Sequence, residues 1–191
     1  MVKVLGIAGS PRREGNTELL LREFLRGAGT SGLETELIIL SEVDISPCTS
    51  CDLCQEDGKC VIADDMQLMY QKLLEARYIV FASPIYFSGV SAQLKSFIDR
   101  CQALWSRKYI LKQKLISPES PERKGYFIST SGSIGNNSVF QGAIATVKAI
   151  FHVLEIEYKG ELLYEGMEKK GDILKYPDKM QGAFALGTSL R

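Results

Sequence analysis

The stretch Val2-Lys3-Val4-Leu5-Gly6-Ile7-Ala8-Gly9-Ser10-Pro11-Arg12-Arg13-Glu14-Gly15-Asn16-Thr17 decides the fold. Residues 2–8 are a short apolar run, the pattern of a buried strand. A glycine-rich turn follows. Over residues 16–29, Leu20, Phe24 and Ala28 recur every four positions, with Leu21 and Leu25 beside them on one helical stripe. Gly29 and Gly32 stop that helix. A loop that ends a strand and opens a helix presents backbone N–H groups at the positive end of the helix dipole, where a phosphate can be held. Ser10, Asn16 and Thr17 add side-chain donors, and Arg12 adds a charge suited to a dianion. Gly9 and Gly15 let the chain wrap closely around a ligand. Two rival loops are missing their residues. A P-loop needs Gly-Lys-Ser/Thr where this chain has Gly15-Asn16-Thr17, and Gly6 and Gly9 do not complete G-x-G-x-x-G. An ordinary helix cap accounts for Asn16 but not for Arg12 beside Ser10.

Outward from this loop, short apolar runs alternate with helical stretches. Strands are expected at residues 34–40, 78–83, 124–130 and 157–164, and helices from Asp64 or Asp65 to about 76, at 91–105, at 137–154 and at 178–190. Residues 106–123 hold five basic residues, Pro118 and Pro121, and read as an exposed excursion. Strand–helix alternation builds a parallel sheet with helices on both faces. Five such strands predict a single α/β domain over residues 1–191, a three-layer, doubly wound sheet with its ligands at the carboxyl ends of the strands.

The 191 residues include 45% hydrophobic and 24% charged side chains, values of a folded globular chain. Twenty-three basic and 23 acidic residues cancel, so nucleic-acid binding has no electrostatic support. The apolar runs are too short for a membrane span. The first residues lack the features of a signal peptide, so a cytoplasmic location is expected. Five cysteines in that setting point to metal or redox chemistry rather than disulfides.

A second motif, Ser83-Pro84-Ile85-Tyr86-Phe87-Ser88-Gly89, ends the third strand. Together with Gly9-Ser10-Pro11-Arg12-x-x-Gly15-Asn16-Thr17, it resembles the FMN reductase and iron–sulfur flavoprotein families of the flavodoxin-like superfamily. The resemblance covers about residues 1–155. It implies FMN, with its phosphate at Ser10, Arg12, Asn16 and Thr17 and its ring and ribityl chain against Pro84, Ile85, Tyr86, Phe87 and Ser88. Thr130, Ser131 and Gly132, in the loop 130–136, are placed to reach the pyrimidine edge of the flavin. No side chain demands a catalytic acid or base role.

Cys48, Cys51, Cys54 and Cys60, in the loop 47–61, have the spacing C-x2-C-x2-C-x5-C. Closely repeated C-x-x-C suits a [4Fe–4S] loop, and the spacing is similar to that of the iron–sulfur flavoproteins. Zinc or a set of free thiols remains open. Cys101 falls at core spacing on a helix, and His152 reads as structural. Three functions follow. One is an iron–sulfur flavoprotein taking electrons from a one-electron donor such as ferredoxin. The second is an NAD(P)H-dependent FMN or quinone reductase without a cluster. The third is a non-enzymatic electron carrier with structural zinc. The resemblance also implies a homodimer or homotetramer, with the excursion after Trp105 reaching across.

Overall fold

A computed structural model describes residues 4–135 and 137–190; Val2 and Lys3 of the expected first strand and Asn136 of the third loop lie outside the described residues. Strands β1 (Val4–Ala8), β2 (Thr35–Ile39), β3 (Tyr78–Pro84), β4 (Lys124–Thr130) and β5 (Glu157–Tyr164) form one sheet in the order β2-β1-β3-β4-β5. Every pairing is parallel. This is the doubly wound flavodoxin-like arrangement expected from the alternation of apolar runs. The three inner strands β1, β3 and β4 are buried almost throughout, whereas the edge strands β2 and β5 are only partly covered. Strands covered on both faces must be apolar at every position, which is why the inner three read as continuous runs.

Helices α1 (Asn16–Thr30), α2 (Cys54–Asp57), α3 (Met66–Glu75), α4 (Ala92–Arg100), α5 (Gln102–Tyr109), α6 (Gln141–Val153) and α7 (Pro177–Thr188) complete the chain. Side chains alternate across each strand. Val4, Val80 and Ile128 therefore pack with Leu20, Leu21, Phe24 and Ala183 from α1 and α7. Leu5, Ile7, Phe81 and Phe127 pack on the other face with Met69, Leu94, Phe97, Val147 and Phe151. No helix among the described residues is long and apolar enough to cross a membrane.

Two expectations need correction. The helix expected over residues 91–105 is broken at Cys101 into α4 and α5, and α5 continues to Tyr109. Residues 112–122 are mostly exposed, as expected, but the segment 106–123 is buried at both ends. Ser106 is fully buried and Arg123 nearly so. The Arg123 guanidinium donates to the carbonyls of Ala76 (2.9 Å), Leu154 (2.7 Å) and Leu73. These carbonyls belong to the C-terminal ends of α3 and α6, where backbone acceptors lack helical partners. A basic residue counted as surface is thus an internal cap. Burial lowers its pKa to about 10.

Candidate functional site

The turns after β1, β3 and β4 meet at the carboxyl end of the sheet, beside the switch point between β1 and β3. Ser10, Arg12, Gly15, Asn16, Thr17, Pro84, Ile85, Tyr86, Thr130 and Gly132 line one cavity of about 180 Å³. The backbone ties these turns together. Gly9 N donates to Ala82 O (2.7 Å) and Ile85 N to Thr130 O (2.9 Å). Ser91 starts α4 and donates from Oγ to Gly9 O, while its N–H donates to Ser83 Oγ (2.9 Å). A Cβ at Gly9 would lie 2.7 Å from Leu94 Cβ, so only glycine allows the first loop to approach α4 this closely.

The first loop is shaped for an anion. No side chain caps the N-terminus of α1; the boundary residue is Gly15, in extended conformation. The first-turn N–H groups of this 15-residue helix thus face the cavity end without a side-chain acceptor. Arg12 folds over the loop, its N–H meeting Ser10 Oγ (3.1 Å) and its Nη1 donating to Glu168 O (3.3 Å). The acidic residue in this turn, Glu18, is buried and neutralised. Burial works against its charge, but Arg13, the Glu14 N–H and Arg22 hold its carboxyl below the usual range.

Not every expected residue faces the cavity as a ligand group. Both ends of the Asn16 amide are engaged elsewhere: Nδ2 donates to Met167 O (3.3 Å) and Lys169 O (3.0 Å), and Oδ1 accepts from Ile173 N (3.2 Å). Asn16 offers the cavity its backbone, not a side-chain donor. Phe87 and Ser88 form the tip of a tight turn closed by reciprocal Tyr86–Gly89 backbone bonds of 3.0 Å. Both have left-handed backbones (φ 49° and 60°), and Phe87 is fully exposed. They lie outside the cavity walls. Ser131 is buried behind the cavity, its Oγ accepting from Ser133 N (3.1 Å). A fourth wall was missed: Met167, Glu168 and Lys170, after β5. The signal was present. A polar Gly166–Gly171 loop follows a strand at the ligand end of the sheet, and both glycines have positive φ.

The four cysteines share a second cavity of about 470 Å³, with Asp99, Arg100, Gln102 and Ala103 on its far wall. All are free thiols. Among the described residues, no three His, Cys, Asp or Glu side chains converge on a single metal ion. Ser50 and Asp52, on either side of Cys51, have left-handed backbones (φ 52° and 60°). Helix α2 ends at Gly58 (φ 77°), where a Cβ would lie 2.1 Å from Arg107 Cγ. Glycine there lets the cysteine loop rest directly on α5. Cys54 Sγ lies 3.4 Å from Ser106 Oγ. Arg100 is buried against Asp64, with Nη2–Oδ1 at 3.0 Å. Asp64 also accepts from Met66 N (3.1 Å) at the start of α3. Burial disfavours the aspartate charge, but Arg100 and the Ser46 and Met66 N–H groups hold its pKa below the ordinary value.

A family model, NADPH-dependent FMN reductase, matches residues 2–158. The chain belongs to this family. An iron–sulfur flavoprotein of Methanocaldococcus jannaschii is 50% identical over 103 residues, 54% of this chain and 53% of that protein. The chain thus spans about half the length of the iron–sulfur flavoprotein relatives it matches first. A Bacillus subtilis protein assigned as an NAD(P)H-dependent FMN-containing oxidoreductase is 30% identical over 97% of this chain and 96% of its own. The solved NAD(P)H:quinone oxidoreductase of Methanothermobacter marburgensis has a TM-score of 0.71 at 18% identity, covering 99% of this chain and 96% of that one, a likeness of fold.

In this FMN reductase family member, the matched region contains the first three cleft turns and the whole cysteine loop, and stops before the wall at Met167–Lys170. Helix α4 separates the two cavities. Its first turn is pinned to the cleft turns through Ser91, and its last residue, Arg100, lines the cysteine cavity. Eight steps of helical rise, from Ala92 to Arg100, put these ends about 12 Å apart. Cys101, just beyond, is buried, and burial pushes its thiol up to about 12. His152 is exposed on α6.

Proposed function

We propose that the chain is an FMN-dependent electron-transfer oxidoreductase with a second redox centre at its cysteines. The observation that carries the flavin is the meeting of an uncapped α1 N-terminus with the turns of β3 and β4 in one cleft. In this reading the phosphate sits on the N–H groups of α1, with Ser10, Thr17 and Arg12 around it. The flat ring lies against Pro84, Ile85 and Tyr86, and its polar edge meets Thr130 and Gly132. Bound FMN supplies one- and two-electron chemistry. The chain orients the ring and lets the backbone N–H groups and Arg12 balance the phosphate charge.

Several observations support a [4Fe–4S] cluster at Cys48, Cys51, Cys54 and Cys60. The spacing is compact, all four thiols face one cavity, and relatives 50% and 44% identical over about half of the chain are named iron–sulfur flavoproteins. Electrons would then come from a one-electron donor such as ferredoxin. The full-length Bacillus subtilis relative favours a second reading, in which NAD(P)H reduces the flavin directly and the cysteines hold nothing. The exposed Tyr86, Phe87 and Ile134 give a homodimer or homotetramer an apolar contact beside the cleft. A cytoplasmic location completes the proposal.

The test is anaerobic purification followed by flavin, iron and acid-labile sulfide analysis. One FMN with four iron and four sulfide per chain is expected. Flavin without iron supports the NAD(P)H reading, and rapid flavin bleaching by NADPH alone would strengthen it. For the phosphate site, Arg12→Ala should weaken FMN binding by about tenfold, one charge-assisted bond's worth. Unchanged affinity would remove Arg12 from the site.

A further inference from the structure

Two donors on α4 and α5 meet the cysteine loop: the Ser106 hydroxyl, and the Arg100 guanidinium, which also ties the loop to Asp64 and to the carbonyls of Ser46 and Ile62. Ser106 is completely buried in the middle of α5. A serine in that position commonly turns back to the carbonyl four residues earlier. Here its hydroxyl meets Cys54 Sγ instead, at 3.4 Å. The other donor is Arg100. Its Nη1 donates to Ser46 O (2.8 Å) and to Asp64, and its Nη2 donates to Asp64 Oδ1 (3.0 Å). Its Nε, also buried, has no partner among the described residues, and the side chain lines the cavity with Cys60.

We infer that Ser106 and Arg100 are positioning residues of the cysteine centre: they donate hydrogen bonds to the sulfurs of Cys54 and Cys60 and raise its reduction potential. This rests on the cluster reading of the four cysteines. A metal-bound thiolate has no proton, so it accepts only, and the Ser106 hydroxyl must donate. Asp52 in the cavity wall adds negative charge to a centre already made of thiolates, while the Asp99 carboxylate is paired with Lys95. A partly buried cluster of thiolates is stabilised by nearby donors and positive charge. Ser106 supplies the first, and Arg100 supplies both. Hydrogen bonds to cluster sulfurs favour the reduced, more negative form and so raise the potential.

The test uses the full chain, purified anaerobically, as wild type, Ser106→Ala, Ser106→Thr and Arg100→Lys. Iron, sulfide and thermal unfolding are measured first, then the midpoint potential by electron paramagnetic resonance titration. Ser106→Ala should keep its iron and its folding midpoint. Its reduction equilibrium should fall about tenfold, a shift of about 59 mV for a one-electron couple. Ser106→Thr, which keeps the hydroxyl, should recover most of that shift. Arg100→Lys keeps the charge but loses the Nε donor, and should also lower the potential. A wild-type protein without iron overturns the cluster reading itself. An iron-loaded wild type with an unchanged potential in Ser106→Ala and Arg100→Lys overturns this inference alone.

Discussion

Replacing Asn16 separates two roles that its position at the start of α1 makes easy to confuse. A phosphate ligand would lose affinity on mutation but leave the empty protein's stability unchanged. The structure makes Asn16 a clamp: three hydrogen bonds tie it to Met167, Lys169 and Ile173. Asn16→Ala removes all three and strands the N–H of Ile173, a completely buried residue. Each ordinary hydrogen bond contributes roughly 0.5–1.5 kcal/mol, and an unsatisfied buried donor costs roughly 1–3. The expected loss is therefore about 3 kcal/mol in the flavin-free protein. For a chain of this size, roughly 2–4 °C per kcal/mol gives a fall of about 6–12 °C in the unfolding midpoint. Asn16→Asp should be worse than Asn16→Ala, because it turns an oxygen toward the two carbonyls that Nδ2 now serves. FMN affinity should fall as well, since the wall carrying Glu168 and Lys170 is released. The assay is thermal unfolding of flavin-stripped protein, followed by fluorescence titration with FMN. A stripped Asn16→Ala protein melting within 1 °C of wild type, with FMN affinity alone reduced, would refute the clamp and restore Asn16 as a direct ligand.

Three other outcomes follow from the same contacts. Glu18 has a carboxyl pKa held below the ordinary 4.5, so its contribution is full at neutral pH and is lost as pH falls from about 4.5 through the depressed value. Glu18→Gln should cost about 1–2 kcal/mol at pH 7, and urea melts of the two proteins should converge as the pH is lowered; a constant gap would count against the buried carboxylate. Gly58→Ala places a methyl against Arg107 in a left-handed backbone and should cost roughly 1–3 kcal/mol in urea unfolding. Iron retention should fall in that variant too, because the cysteine loop lifts from α5. Arg123→Met strips the donor from three helix-end carbonyls and should cost about 3 kcal/mol or more in the same assay; a loss below 1 kcal/mol would show that water replaces the guanidinium.

The sheet was legible because burial on both faces demands unbroken apolar runs, which Val4–Ala8, Tyr78–Pro84 and Lys124–Thr130 show at least over most of their length. The cleft turns were legible for a related reason, since loops after parallel strands all open at one end. What stayed hidden is tertiary. Nothing near Asn16 in sequence announces a partner 151 residues away at Met167. Cys101 carries no helix-breaking chemistry, so the elbow between α4 and α5 looked like one continuous helix. Arg123 and Ser106 are polar residues in a polar-looking segment; only the packed structure shows the helix ends that one caps and the thiol that the other meets.

The cysteine site stands apart from the sheet in a way that bears on its meaning. Its loop is pinched at the base, where Asp65 N donates to Asp44 O (3.0 Å) and Asp44 N to the Asp65 carboxylate (2.8 Å). Ser46 N adds a bond to Asp64 (3.0 Å). Around the pinch, Leu40 belongs to the core and Val43 and Ile45 pack against it; none of the four cysteines does. The fold therefore closes without them, and the flavin cleft shares no wall with their cavity. A lobe that the sheet does not need can hold an iron–sulfur centre in one chain and nothing in another without altering the flavin loops, so the side chains of the lobe decide between the two readings. That decision lies in a few side chains: four thiols on one cavity, with a buried hydroxyl and a buried guanidinium behind them. Arg100 also holds the loop itself, through Asp64 and the carbonyls of Ser46 and Ile62, whereas the Ser106 hydroxyl meets the Cys54 thiol. Replacing Ser106 is therefore the change that separates a cluster at these thiols from a loop that merely rests on α5.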